Sequence, residues 1–188
     1  MQTLTNQSTI LVVDDNPTNL EILDHALTKA GYKVRVEAEG LNVMKQTRLS
    51  IPDLILLDIM LPDFNGFDVC KQLKADPLTK CIPVIFMTAM TDPIDKIKGL
   101  NLGAVDYVTK PFQKEELLAR VRVHLHLRQL TKTLEIQNQQ LIELKNELEN
   151  RVAERTAELS QALEKEKDRK STRLNSSHEW ISRMPSSA

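Results

Sequence analysis

Between residues 9 and 112 the apolar positions alternate between two textures. Short β-rich runs stand at 9–13 ("TILVV"), 33–38 ("KVRVEA"), 54–57 ("LILL"), 83–88 ("PVIFMT") and 106–109 ("DYVT"). Runs 10–13, 54–57 and 84–87 are almost continuously apolar, as expected of strands covered on both faces. "KVRVEA" is half polar, which predicts an edge strand. Between the runs, apolar residues recur at helical spacing. Leu20, Leu23 and Leu27 predict a helix from Pro17 to Ala30, stopped by Gly31. Leu41, Met44 and Val43 are expected to face inward on a helix near 40–48. Phe67, Cys70 and Leu73 do so over Gly66 to Ala75, and Ile94, Ile97 and Leu100 over Pro93 to Leu102. Strand and helix thus alternate through the segment, which predicts an α/β fold with a mostly parallel sheet. Right-handed crossovers restrict its topology further.

After Pro111 the texture changes. No proline follows until Pro185, and no glycine at all. Leu117, Leu118 and Val121 predict a fifth helix. Leu127, Leu130, Leu134, Leu141, Leu144 and Leu148 then follow a three-four repeat, with Gln137 in one seam position. So narrow an apolar stripe predicts a dimeric coiled coil. From Leu148 the next apolar residue is Val152, four on, and Leu159 and Leu163 resume in another phase. Arg151 and Arg155 occupy places the first register reserves for apolar residues. Such a stutter locally unwinds a supercoil. Fully helical, residues 113–168 would span roughly 84 Å.

The last stretch, "STRLNSSHEWISRMPSSA", fits neither texture. It is Ser-rich and aperiodic, resembles translated linker sequence, and is read as a non-native disordered tail. The expected division is 1–8 disordered, 9–125 a globular domain, 126–170 a coiled-coil linker and 171–188 the tail. On that reading the native protein continues beyond 170, and the chain is the front of something longer.

Composition adds little but excludes something. A 41% hydrophobic and 27% charged chain of 188 residues suits one domain plus an extension. A net charge of −1 gives no electrostatic argument for a nucleic-acid partner, so none is expected. Cys70 and Cys81 lack metal-ligand spacing and read as reduced thiols. No signal peptide or membrane span is visible, so no membrane partner and a cytoplasmic location are expected.

In a parallel sheet, ligands bind at the carboxyl ends of the strands. Asp14 and Asp15 end the first run, Asp58 the third, Thr88 the fourth, and Thr109 and Lys110 the fifth. Carboxylates crowded on one rim repel each other unless a cation sits among them. Mg2+ accepts a few carboxylates and a backbone carbonyl while keeping waters. One Asp58 oxygen would then remain as a nucleophile toward phosphorus. Lys110 supplies a point charge for phosphate oxygens, and Thr88 a hydroxyl for the same purpose. Taken singly each residue has a blander account. An acid at a strand end is an ordinary turn residue, and Asp14 or Asp15 could cap the first helix. Nothing comparable lifts Asp24, Asp63, Asp68 or Asp106. His25, His124, His126 and His178 show no nucleophile-base spacing and read as structural.

Four islands in order carry a family resemblance: "ILVVDDNP", "LILLDIMLPDFNGFDVC", "PVIFMTA" and "GAVDYVTKPF". Residues 9–125 resemble the receiver domain of two-component response regulators. The resemblance implies a doubly wound, flavodoxin-like five-stranded parallel sheet of order 2-1-3-4-5 flanked by helices. It implies that Asp58 takes a phosphoryl group from a histidine kinase or phosphotransfer protein. Asp15, Asp58 and the backbone oxygen of Met60 would ligate Mg2+, with Asp14 acting mainly through water. Thr88 and Tyr107 would switch in concert, and Lys110 would pair with phosphoryl or carboxylate oxygens ahead of a cis Pro111. "LENRVAERTAELSQALEKE" resembles helical linkers of bacterial hybrid kinases, which makes the chain a candidate front fragment of such a kinase.

The reading is therefore a phosphoacceptor module, relaying its state through a homodimeric coiled coil and catalysing only its own phosphoryl transfer. Two alternatives stand beside it. One is a dimerisation module indifferent to phosphate. The other is a Mg2+-dependent phosphatase with an aspartate nucleophile; such enzymes resemble a pattern with two acids spaced two apart after the first strand, whereas here the acids are adjacent.

Overall fold

The computed structural model describes residues 7–89 and 93–182. The expected disorder at the N-terminus falls largely on residues 1–6, outside that range. Five strands form the sheet: β1 (Thr9–Val13), β2 (Lys33–Glu37), β3 (Leu54–Asp58), β4 (Val84–Thr88) and β5 (Asp106–Thr109). All pairs are parallel, in the order β2-β1-β3-β4-β5. This is the expected topology, and the half-polar strand is at an edge.

Strand periodicity divides the core in two. Leu11, Val13, Ile55, Leu57, Val84 and Phe86 point to one face. They pack against Val43 of α2 (Gly40–Leu49) and Phe67, Cys70 and Leu73 of α3 (Gly66–Ala75). Ile10, Val12, Leu54, Leu56, Ile85, Met87 and Val108 point to the other. They meet Leu23 and Leu27 of α1 (Pro17–Lys29) and Leu117, Val121 and Leu125 of α5 (Lys114–Ser182). The central strands β3 and β4 are buried along their whole length.

Two helices are phased differently from expectation. In α2 the buried positions are Gly40, Val43 and Thr47, and Leu41 is exposed. Gly40 sets this phase by close approach: a Cβ there would lie 3.0 Å from the Phe64 carbonyl oxygen and 3.1 Å from Leu61 Cδ1. In α4 (Pro93–Asn101) Ile97 and Leu100 are exposed, while Gly99 packs on the Phe86 ring, leaving 3.0 Å for a Cβ. The side chain of Ile94 lies outside the described residues.

Chain contacts divide the molecule into two units, one ending at Thr133 and one beginning at Leu134. Within the first, α5 is tied to the domain as far as Arg128, which donates to the Cys81 carbonyl. Within the second, Leu134, Leu141, Leu144, Leu148, Val152, Leu159 and Leu163 are all exposed. Arg151 and Arg155, the residues that interrupt the first register, pair with Glu147 and Glu158 along the helix. Such exposed pairs contribute a few tenths of a kcal/mol each, about 0.3–0.5. The helix continues through 171–182, where disorder was expected. No proline or glycine stands there to stop it. Residues 183–188 lie outside the described range. Among the described residues, no helix is long and apolar enough to cross a membrane.

Candidate functional site

The register of the strands assembles the acidic rim. Val13 pairs with Leu57, so Asp14 emerges beside Asp58, the last residue of β3. Asp58 pairs with Met87, and Thr88 pairs with Thr109. Lys110 N–H donates to the Thr88 carbonyl at 2.7 Å, fixing the lysine to the same rim. The Lys110–Pro111 peptide bond is cis.

Asp14, Asp15 and Asp58 each offer a carboxylate oxygen within 4.8 Å of the other two. Asp14 is fully buried, Asp58 is 4% exposed, and Asp15 faces solvent. Lys110 Nζ lies 2.6 Å from Asp14 Oδ2 and 2.5 Å from Asp58 Oδ2. Asp14 also accepts from Asn16 N–H at 3.0 Å and from Asn19 Nδ2 at 3.0 and 3.2 Å. Its oxygens are thus held by protein donors, whereas Asp15 is the open carboxylate. Neither caps α1. That cap is Asn16, whose side chain accepts from Thr18 N–H at 2.9 Å.

Burial pushes the Asp58 carboxyl above its ordinary value, aided by nearby Asp14 and opposed by Lys110 and the Met60 N–H. Burial works against the Lys110 charge, but its hydrogen bonds to Asp14 and Asp58 prevail and lift its pKa. Three carboxylates face one ammonium here, so the site has an excess of acid when all are ionised. Hard oxygen donors in that excess fit a small divalent cation such as Mg2+.

The other expected residues lie nearby. Met60 N–H donates to Asp58 Oδ1 at 3.2 Å, and the Met60 side chain is exposed. Thr88, buried at the end of β4, shares a recess of about 10 Å3 with Tyr107 and with Ile59, Phe86, Gly99 and Leu100. That volume is about what one water needs.

Three further residues shape the site. Asn19 holds Asp14, but a polar residue in the first turn of a helix carries no such signal in sequence. Gly66, the first residue of α3, lies so close to the site that a Cβ there would be 2.2 Å from the Asp58 carbonyl oxygen. Asp63, set aside in the sequence, binds the first amides of α2.

Comparison with known proteins agrees with this geometry. The model for the response regulator receiver domain matches residues 10–122. The chain belongs to that family, the receiver domain of two-component response regulators. The DNA-binding response regulator MtrA of Mycolicibacterium smegmatis is 46% identical over 121 residues, 64% of this chain and 52% of the relative. The DNA-binding dual master transcriptional regulator RpaA of Synechocystis is 43% identical over 134 residues, 69% of this chain and 56% of the relative. Among solved structures, the signal receiver domain of a signal transduction histidine kinase from Syntrophus aciditrophicus has a TM-score of 0.60 at 36% identity. It covers 63% of this chain and 90% of that one. The chain thus spans about half the length of the curated relatives it matches.

These relatives correct one expectation. Net charge argued for no nucleic-acid partner, yet MtrA and RpaA are DNA-binding response regulators. A whole-chain charge of −1 averages over all residues and carries no information about a binding face or a further domain.

Proposed function

We propose that the domain is a Mg2+-dependent phosphoacceptor, modified on Asp58 by the phosphohistidine of a histidine kinase or phosphotransfer protein. The observation that carries this reading is the buried carboxylate of Asp58, within 4.8 Å of two others and bonded to Lys110. Asp15, Asp58 and the Met60 backbone would hold the cation, with Asp14 behind them. Bound there, Mg2+ would neutralise charge on the transferring oxygens.

In the transfer an Asp58 oxygen attacks phosphorus, the bond to the histidine nitrogen breaks, and the imidazole leaves. Lys110 is positioned to follow the new charge, since its ammonium already bridges Asp58 and Asp14. Gly66 lets the start of α3 pack directly on the backbone of Asp58, where a Cβ would lie 2.2 Å from the carbonyl oxygen. Thr88 would then turn toward the acyl phosphate and Tyr107 toward the recess they share. The domain's state would pass along α5 into residues 126–170, paired with a second copy. The long run of exposed leucines supports that pairing.

The test is phosphorylation by acetyl phosphate or a kinase in the presence of Mg2+. The parent should take up label that is lost with EDTA. If Asp58→Asn labels as well as the parent, the mechanism is wrong.

A further inference from the structure

The loop between β3 and α3 leaves the site at Asp58 and is held at several points. Ile59 N–H donates to the Met87 carbonyl at 3.2 Å, and Gly66 N–H donates to the Ile59 carbonyl at 3.0 Å. Asn65 caps α3 through Phe67 N–H at 2.9 Å. Between these points stands Asp63, whose carboxylate reaches across to another helix. Gly40 N–H donates to Asp63 Oδ1 at 3.0 Å, and Leu41 N–H donates to Asp63 Oδ2 at 2.9 Å.

Those amides open α2 and have no partner within the helix. The local N-cap residue, Glu39, makes no capping hydrogen bond with its side chain. A carboxylate suits the positive end of a helix. So α2 is capped from 23 residues away, by the loop that leads out of the candidate phosphoacceptor. A second observation marks the same seam. A Cβ at Gly40 would lie 3.0 Å from the Phe64 carbonyl oxygen and 3.1 Å from both Leu61 Cδ1 and Phe64 Cβ. Loop and helix start are therefore in direct contact as well as hydrogen-bonded.

We infer that Asp63 is a positioning residue for the phosphoacceptor site: by clamping the loop to the start of α2, it fixes the backbone at Met60 that faces Asp58. The inference rests on the phosphoacceptor reading above. Met60 links the two, since its N–H bonds Asp58 Oδ1 and its carbonyl is assigned to the cation in that reading. Groups that orient metal ligands from behind typically change affinity by about 10–100-fold when removed.

A purely structural role must be separated from positioning. Asp63→Ala removes both the clamp and the cap. Adding Glu39→Ser supplies a local cap, because residue 39 already has the extended backbone an N-cap uses (φ −115°, ψ 126°). The double variant should recover most of the thermal stability lost in the single one. With no phosphodonor present, calorimetric titration should show it needing about tenfold more Mg2+ for half-saturation. At sub-saturating Mg2+ its Asp58 should label more slowly in proportion. Asp63→Asn, which keeps the shape and one acceptor oxygen, should fall between parent and double variant. A double variant or Asp63→Asn whose Mg2+ isotherm superimposes on the parent's overturns the inference while leaving the phosphoacceptor reading intact. A parent chain that neither binds Mg2+ nor takes label removes both.

Discussion

Lys110 Nζ stands 2.5 Å from Asp58 Oδ2, although 52 residues of chain separate them. The lysine also serves Asp14, so one ammonium is shared between two buried carboxylates. Such an arrangement is suited to accepting charge and poorly suited to stability.

The cost of that arrangement can be read by titration. Burial raises the Asp58 carboxyl above 3.8, so between that value and its folded one the native state holds a proton the unfolded chain has lost. The stability linked to Asp58 is present below 3.8 and is lost as pH rises through the raised value. Asp58→Asn should therefore melt higher than the parent at neutral pH, by a margin that shrinks as pH falls toward 3.8. Saturating Mg2+ should raise the parent's midpoint and leave that of Asp58→Asn unmoved. A variant less stable than the parent, or equally responsive to Mg2+, would count against the site as described.

Asp106 behaves in the opposite sense. Burial works against its charge, but hydrogen bonds from Arg120, the Tyr107 N–H and His124 outweigh it and hold its pKa low. Arg120 Nη1 reaches its two oxygens at 2.9 and 2.8 Å, and His124 Nε2 lies 3.2 Å away. Here stability is present above 3.8 and is lost as pH falls through the depressed value. Asp106→Asn should flatten the acid limb of a stability–pH curve between 3.8 and the depressed value. At neutral pH it should cost about 1 kcal/mol or less, since Arg120 is partly solvated. An unchanged acid limb would show that the network contributes nothing.

Thr47 invites a substitution of the reverse kind. It is fully buried on α2, and its Oγ1 finds no hydrogen-bond partner. Thr47→Val keeps the branched shape and removes the unsatisfied hydroxyl. Chemical denaturation should give a gain of about 1 kcal/mol, and labelling of Asp58 should be unaffected. A loss of stability would mean that the hydroxyl is satisfied in solution.

The exposed leucines of the second unit predict self-association. Leu141 and Leu144 are 62% and 61% exposed in the single chain. Leu141→Asp would set a charge in the proposed seam and should weaken pairing by at least about tenfold, roughly 1.4 kcal/mol. Sedimentation velocity would show this, with the melting of the receiver unchanged. A parent monomeric at every concentration tested would end the dimer proposal.

What the linear order of residues carried was the repeating unit. Continuous apolar runs at 10–13, 54–57 and 84–87 can be satisfied only by burial on both faces, and that forces helices onto each side of the sheet. The same runs end in Asp14, Asp58 and Thr88, so the candidate chemistry was readable as strand-end residues. Helix phase was less legible. Leu41, Ile97 and Leu100 have the composition of core positions, yet the facing contacts are made by Gly40 and Gly99, and a glycine shows no hydrophobic signal.

The contacts between distant segments were decided only by the fold. Asp63 on the amides of Gly40 and Leu41, and Arg128 on the Cys81 carbonyl, tie backbone groups through side chains whose types are ordinary for exposed positions. Periodicity records which side of a strand or helix is dry, because that preference is repeated along the chain. A single polar bond across a loop is made once, by residues that water would satisfy equally well, and it leaves no repeat to read until the backbone brings its two ends together.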